Sequence, residues 1–330
     1  MVSRRGWVLF ILMSAIWGVP YLLIKVADRG VSVPVLVFSR VALATALLLP
    51  LAIRRRQVSV LRAHWRWLAV FACVEIILPW ALLSDAERHL SSSMTGLLIA
   101  AVPIIGVVLA RLTGSSERLA VVRWVGLLTG LVGVVLLLGP HALGGGAWPV
   151  TEVLLVAVLY ATGPLVANRK LSELPSLGVT AVCLGAAAVV YAPAAALTWP
   201  ATMPSAEVLA SLAGLGAVCT AIAFLVFFRL IAEVGPARAM VFTYVNPAVA
   251  VALGVAVLGE PLTVGIIAAF ALILVGSVLA TRSGLPRRRG AAEPGEPELD
   301  GRGTSGLAER RIPGLAGRRR AAESVGRGSQ

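Results

Sequence analysis

Charge is the scarcest property of this sequence. Only 14% of its 330 residues are Asp, Glu, Lys or Arg, against about 25% in a soluble domain. That leaves too little polar surface to cover a globule in water, which excludes a freely soluble protein. Cysteine is scarce too. Cys73, Cys183 and Cys219 lie inside apolar stretches with no CxxC spacing, which excludes a disulfide framework and a thiolate metal site. They read as small buried hydrophobes. The three histidines stand at loop or span-end positions with no ligand spacing, so no metal is expected. No GxxxxGK[ST] segment exists to cradle a nucleotide phosphate, and no nucleophile–base arrangement stands out. No cofactor is expected, and the chain is not expected to be an enzyme.

Long apolar runs fill the space left by charge. Hydrophobic residues make up 58% of the chain, in blocks near the roughly 20 residues needed to span a bilayer. Ten spans are expected, at Trp7–Ala27, Val33–Ile53, Trp67–Asp85, Ser92–Leu112, Ala120–Leu138, Pro149–Asn168, Leu177–Thr198, Val208–Phe228, Ala237–Leu258 and Leu262–Thr281. Continuous apolarity predicts helices, since barrel strands would alternate over about 10 residues. Arg4 and Arg5 before the first block imitate a signal peptide, but the block is long and no clear small-x-small site precedes Lys25. It is expected to be an uncleaved first span.

The net charge of +13 suggests nucleic acid until the basic residues are located. Eleven of the 29 lie at or beyond Arg282. With the N-terminus inside, the short cytoplasmic segments before that tail hold 14 basic residues and the outer ones only Arg29 and Arg88. This is the positive-inside signature of a multi-pass protein of the plasma (inner) membrane with both termini cytoplasmic, not of a nucleic-acid groove. The bilayer is the expected partner and nucleic acid is not. Residues 283–330, rich in Arg, Gly, Pro and Glu, are expected to form a disordered basic cytoplasmic tail.

A shift of 144 residues lays the chain over itself. Pro20 falls on Pro164, Lys25 on Arg169, Leu90 on Val234 and Pro103 on Pro247. After one residue of slippage Glu117 falls on Glu260 and Gly133 on Gly276. Residues 1–140 and 141–282 therefore read as two copies of a five-helix unit. An odd span number gives them opposite orientations, so the expected fold is all-α and integral to the membrane, with ten transmembrane helices as two inverted five-helix repeats. Inverted repeats are common in secondary transporters, with the site at their interface.

Three stretches carry a family resemblance. One is Trp17-Gly18 with Lys25 beyond it. The second is Ala101-Val102-Pro103 running to Ser116-Glu117-Arg118-Leu119 and Gly126, Gly130 and Gly133. The third is Val234-Gly235-Pro236-Ala237-Arg238-Ala239, Tyr244-Val245-Asn246-Pro247 and Leu258-Gly259-Glu260-Pro261-Leu262. The chain resembles an EamA-type transporter of the drug/metabolite transporter superfamily. It departs from the family pattern at Tyr160-Ala161-Thr162-Gly163-Pro164 in the sixth span. The resemblance implies a central cavity between the repeats, peripheral fifth and tenth helices, and efflux of amino acids, metabolites or drugs by alternating access. An intramembrane enzyme acting on lipid or lipid-linked substrates is the other reading.

Charged residues inside spans are the first candidates for a substrate site, because each costs about 2.5–3.5 kcal/mol at the bilayer centre. Arg40 and Glu75 each lie about 10–15 Å from the outer boundary at about 1.5 Å per residue. They could pair with each other or face the cavity, where Glu75 could carry a proton or bind a cation. Glu75 reads as the only acidic residue deep in any span. Lys25 either snorkels outward or reaches the cavity. Trp17, Tyr21, Trp80, Thr95, Tyr160, Thr220, Tyr244 and Asn246 complete the candidate substrate-binding set, Asn246 also reading as repair of the helix at Pro247. Pro20, Pro103, Pro164 and Pro247 are expected kinks or hinges. Glu117 and Glu260 read as helix-start carboxylates. Gly126, Gly130 and Gly133 on the fifth span, and Gly265 and Ala269 on the tenth, form small-residue faces for packing within the chain or in a homodimer.

Overall fold

A computed structural model describes residues 3–112, 121–138, 147–235, 239, 242–243 and 245–281. Every regular element among them is helical. Seven helices are long and apolar enough to cross a membrane, the longest being Ser59–His89. Three shorter apolar helices, Val121–Leu136, Asn246–Leu258 and Val264–Leu279, coincide with the fifth, ninth and tenth expected blocks.

The elements run α1 Arg4–Gly18, α2 Pro20–Ala27, α3 Val33–Arg54, α4 Trp65–Ala72, α5 Leu78–His89, α6 Ser92–Ile99, α7 Val102–Leu112, α8 Val121–Leu138, α9 Ala147–Val166, α10 Ser176–Leu197, α11 Ala206–Ala213, α12 Ala223–Val234, α13 Asn246–Leu258 and α14 Val264–Thr281. Serine begins several of them. The hydroxyls of Ser3, Ser32, Ser91 and Ser205 accept from Gly6, Val35, Met94 and Val208 backbone N–H groups, satisfying donors that a helix start leaves free.

Spans that read as single blocks are broken internally. The first divides at Val19 between Gly18 and Pro20. The fourth divides at Ala100–Ala101, just ahead of Pro103. Pro247 lies in the first turn of α13. Pro164, by contrast, sits inside the continuous helix α9. Wide π-helical turns join α4 to α5 at Cys73–Ile77 and α11 to α12 at Gly214–Ile222. Pro79 follows the first of these and has no N–H to continue the ladder. Side chains take up carbonyls there: Tyr191 Oη donates to Ile77 O at 2.5 Å, Thr220 Oγ1 to Leu215 O at 2.8 Å and Trp17 Nε1 to Cys219 O at 3.2 Å.

The most extensive helix packings are those of α8 with α14 and α3 with α10. Glycine explains the first. A Cβ on Gly276 would stand 2.4 Å from Gly130 N and 2.7 Å from Gly126 O, and one on Gly133 would stand 2.8 Å from Ile273 Cγ1. The glycine face of the fifth span is thus used within the chain. Gly265 meets only Thr263, so Gly276 rather than Gly265 makes the close approach on the tenth. The largest core gathers Leu36, Val37, Val41 and Leu48 of α3 with Cys183 and Leu184 of α10 and Leu215. Val121, Leu128, Leu131, Val132 and Val135 of α8 lie exposed, a surface suited to lipid.

Candidate functional site

Arg40, on α3, is 7% exposed. Its Nε donates to Thr220 Oγ1 at 2.9 Å, and its guanidinium lies over the Trp80 ring with Cζ 3.7 Å from the centroid. The π turn at Gly214–Ile222 packs against α3 and carries Thr220 to this point. Tyr21 and Tyr160 both lie within electrostatic reach of Arg40. Arg40, Trp80 and Thr220, from three separate spans, therefore meet, with Tyr21 and Tyr160 of two further spans in electrostatic reach.

Glu75 does not pair with Arg40. Arg88, not Arg40, takes part in an ion pair, with Asp28 at 3.8 Å. Glu75 stands instead in the π turn Cys73–Ile77 and faces Gly163 of α9, where an added Cβ would fall 1.8 Å from Oε2. That oxygen is buried with no hydrogen-bond partner. Tyr160 lies within electrostatic reach of both Glu75 and Arg40. Glycine at 163, in the segment that departs from the family pattern, is what leaves room for the carboxyl.

The other candidates are held by backbone. Lys25 neither snorkels freely nor points at Arg40: its ammonium donates to Glu87 O and, at 2.7 Å, to Leu90 O, closing the C-terminus of α5. Thr95 is fully buried and donates to Ser91 O at 3.1 Å. The Asn246 amide, oriented to satisfy its surroundings, donates to Ser14 O at 3.2 Å and Phe242 O at 3.1 Å. It ties the start of α13 to the first span. Trp17 belongs to an aromatic group with Phe224, Phe227 and Phe242. Tyr244, Glu117 and the tail lie outside the described residues.

Two buried acids escaped the sequence reading. Glu87 is 0% exposed and neither carboxyl oxygen has a partner, because the third span continues through Asp85 to His89. Under the 144-residue shift Glu87 falls on the apolar Ile231, the signal that would have kept this segment helical. Glu152, near the start of α9, is buried, and its Oε2 has no hydrogen-bond partner. Glu87 and Glu152 lie near helix ends, whereas Glu75 stands midway along Ser59–His89.

Glu260 is a helix-start carboxylate as expected, but the helix it caps is not that of its own span. Gly259, with φ 68°, ends α13 in the left-handed conformation that glycine allows. Glu260 then turns back onto α6, the start of another span. Its Oε1 accepts from Ser92 N at 2.7 Å, and its Oε2 from Ser93 N at 3.0 Å and Ser93 Oγ at 2.5 Å. Burial alone would raise this carboxyl, but the hydrogen bonds from Ser93 and Ser92 outweigh it and hold the group below the usual range. Gly254 leaves the space, since a Cβ there would meet Glu260 Oε2 at 2.4 Å. At the loop after α2, burial pushes the Asp28 carboxyl up to about 7 although Arg88 pulls the other way.

Comparison with known proteins agrees with this architecture. A solved crystal structure superposes with a TM-score of 0.62 at 23% identity, covering 84% of this chain and 98% of that one. The uncharacterized inner membrane transporter YedA of Escherichia coli K12 is 29% identical over 273 residues, 79% of this chain and 87% of YedA. An uncharacterized transporter of Archaeoglobus fulgidus is 23% identical over 84% of this chain and 99% of its own length. The profile of the EamA-like transporter family matches twice, at residues 4–139 and 148–282. Joined to the apolar helices, these matches establish that the chain is a membrane transporter belonging to the EamA-like transporter family.

Proposed function

We propose that the chain is a secondary transporter that exports small molecules by alternating access between two inverted five-helix repeats. The convergence of Arg40, Trp80 and Tyr21 from residues 1–140 with Thr220 and Tyr160 from residues 141–282 carries this reading. A polar group shared by two halves of an apolar body is released or closed whenever those halves rock. Reciprocal packing supports the repeats. Spans related by the shift pack together, α3 with α10 and α8 with α14. The contact of Gly130 with Gly276 has its counterpart in that of Ile273 with Gly133. The π turns at Cys73–Ile77 and Gly214–Ile222 also fall at equivalent places, and the family profile matches each half once. Both termini are cytoplasmic in this reading, and the substrate leaves toward the face that carries Asp28 and Arg88.

Glu75 is the coupling group of this reading, carrying a proton or cation across. Its buried, unpartnered Oε2, facing Gly163, supports the role. Flux of amino acids and cationic dyes into inverted membrane vesicles, with and without a pH gradient, tests both proposals. Gradient-driven flux of at least one compound is expected in wild type and not in Glu75→Gln. Full flux in Glu75→Gln rejects the coupling role, and no flux of any compound in wild type rejects the transporter reading.

A further inference from the structure

Arg40 has an unmet demand for an anion. Its guanidinium stays charged at any physiological pH, yet no carboxylate pairs with it among the described residues. Each neighbour takes only part of the group. Thr220 Oγ1 accepts from Nε and spends its own proton on Leu215 O, so its lone pair is aimed at Arg40. Trp80 covers one face, an attraction that strengthens where water is excluded. Nη1 and Nη2 donate to none of the described residues. They are the parallel pair of donors that matches the two oxygens of a carboxylate. A buried charge left in this state is costly unless something completes it. One fixed cation, with Glu87 also in electrostatic reach, suits a single negative charge better than a doubly charged phosphate.

We infer that Arg40 is the docking point for the carboxylate of the substrate, so that the site takes small organic acids or amino acids, head first, with both oxygens on Nη1 and Nη2. Thr220 and Trp80 are positioning residues that fix the plane of the fork. Tyr21 and Tyr160 offer hydroxyls beside it. This inference rests on the transporter reading and deepens it.

The test pairs carboxylates with their neutral amides: benzoate with benzamide, L-leucine with L-leucinamide, and L-phenylalanine with L-phenylalaninamide. Inorganic phosphate and tetraphenylphosphonium serve as comparison probes. Binding to the purified full chain in nanodiscs is measured by calorimetry. At least one carboxylate is expected to bind, with its amide at least 30-fold weaker. Arg40→Lys keeps the charge but not the fork and should weaken that carboxylate at least 10-fold, while Thr220→Val should weaken it several-fold. Should Arg40→Lys fail to fold, wild type still decides. Phenylglyoxal modification of Arg40, followed by mass spectrometry, should be slowed by the carboxylate and not by the amide. Equal binding of acid and amide, unchanged binding in folded Arg40→Lys, no protection of Arg40, or binding of phosphate or the phosphonium alone each overturns the inference. Flux of a neutral or cationic compound that survives Arg40→Lys leaves transport standing and removes carboxylate recognition. Carboxylate binding without flux in proteoliposomes removes transport instead.

Discussion

Substituting Gly276 and Gly130 one at a time separates a backbone contact from a side-chain contact on a single helix pair. In Gly276→Ala the new methyl falls 2.4 Å from Gly130 N and 2.5 Å from Gly130 Cα. Backbone cannot swing aside, so α8 and α14 must part by about 1 Å to restore ordinary carbon contact. If about 50 heavy-atom pairs cross the interface at about 0.15 kcal/mol each, a gap of this size forfeits a quarter to a half of their attraction, about 2–4 kcal/mol. Replacing helical glycine by alanine returns about 1 kcal/mol, leaving a net loss of about 1–3 kcal/mol. In Gly130→Ala the nearest atom is Ile104 Cδ1 at 2.1 Å, the tip of a flexible side chain, with Cγ1 next at 3.3 Å. A rotamer change costs about 0.5–1.5 kcal/mol and the helix gain offsets most of it. Reversible unfolding in mixed micelles should therefore find Gly276→Ala clearly destabilised and Gly130→Ala near wild type. Equal effects, or the reverse order, would refute the claim that the α8–α14 crossing is set by backbone proximity at Gly276.

Three further outcomes follow from groups near the helix ends. Glu260→Gln should lower stability by about 0.5–2 kcal/mol through the loss of a capping carboxylate on α6. Because Glu260 is held below its ordinary value in the folded state, the wild-type advantage over Glu260→Gln should be full above about pH 5 and shrink as pH falls through the carboxyl range; an advantage that grows on acidification contradicts the cap. Asp28 runs the other way: its folded value of about 7 exceeds the ordinary 3.8, so its contribution is present below the ordinary value and is lost as pH rises through 7. Melting temperature in detergent should fall less steeply between pH 4 and 8 in Asp28→Asn than in wild type, and parallel curves would show that Asp28 is not the titrating group. Lys25→Met should cost about 1–3 kcal/mol by stranding the carbonyls of Glu87 and Leu90, with hydrogen exchange rising first at the end of α5; unchanged exchange there removes the capping role.

Hydropathy located the apolar helices because lipid demands continuous apolar length, a constraint written residue by residue. Prolines marked three of the internal breaks for the same local reason. The π turn at Cys73–Ile77 was not legible, because it depends on Pro79 together with a hydroxyl from Tyr191, more than 100 residues away. Polarity in an apolar span was enough to single out Arg40, Trp80 and Thr220, but not to show that they meet each other rather than Glu75. That choice is made by the packing of α3 against the turn at Gly214–Ile222. Glu87 was lost because Asp85-Ala86-Glu87-Arg88-His89 looks like a loop by composition. Lys25 in fact binds the carbonyls that end this helix. Glu260 was rightly seen as a helix-start carboxylate, yet the helix it serves begins 168 residues earlier, beyond the reach of any local rule.

That separation has a consequence for biogenesis. At about 5–20 residues per second the ribosome takes about 10–30 s to travel from Ser92 to Glu260. Until then the first turn of α6 lacks the carboxylate that binds its Ser92 and Ser93 amides. The freshly inserted N-terminal portion must meanwhile keep that turn near water or lipid headgroups, where other acceptors can serve. Release of the last two helices from the translocon would then be the event that locks the fourth span in place. A chain interrupted before residue 260 would insert its early helices yet present quality-control proteases with an unfinished one.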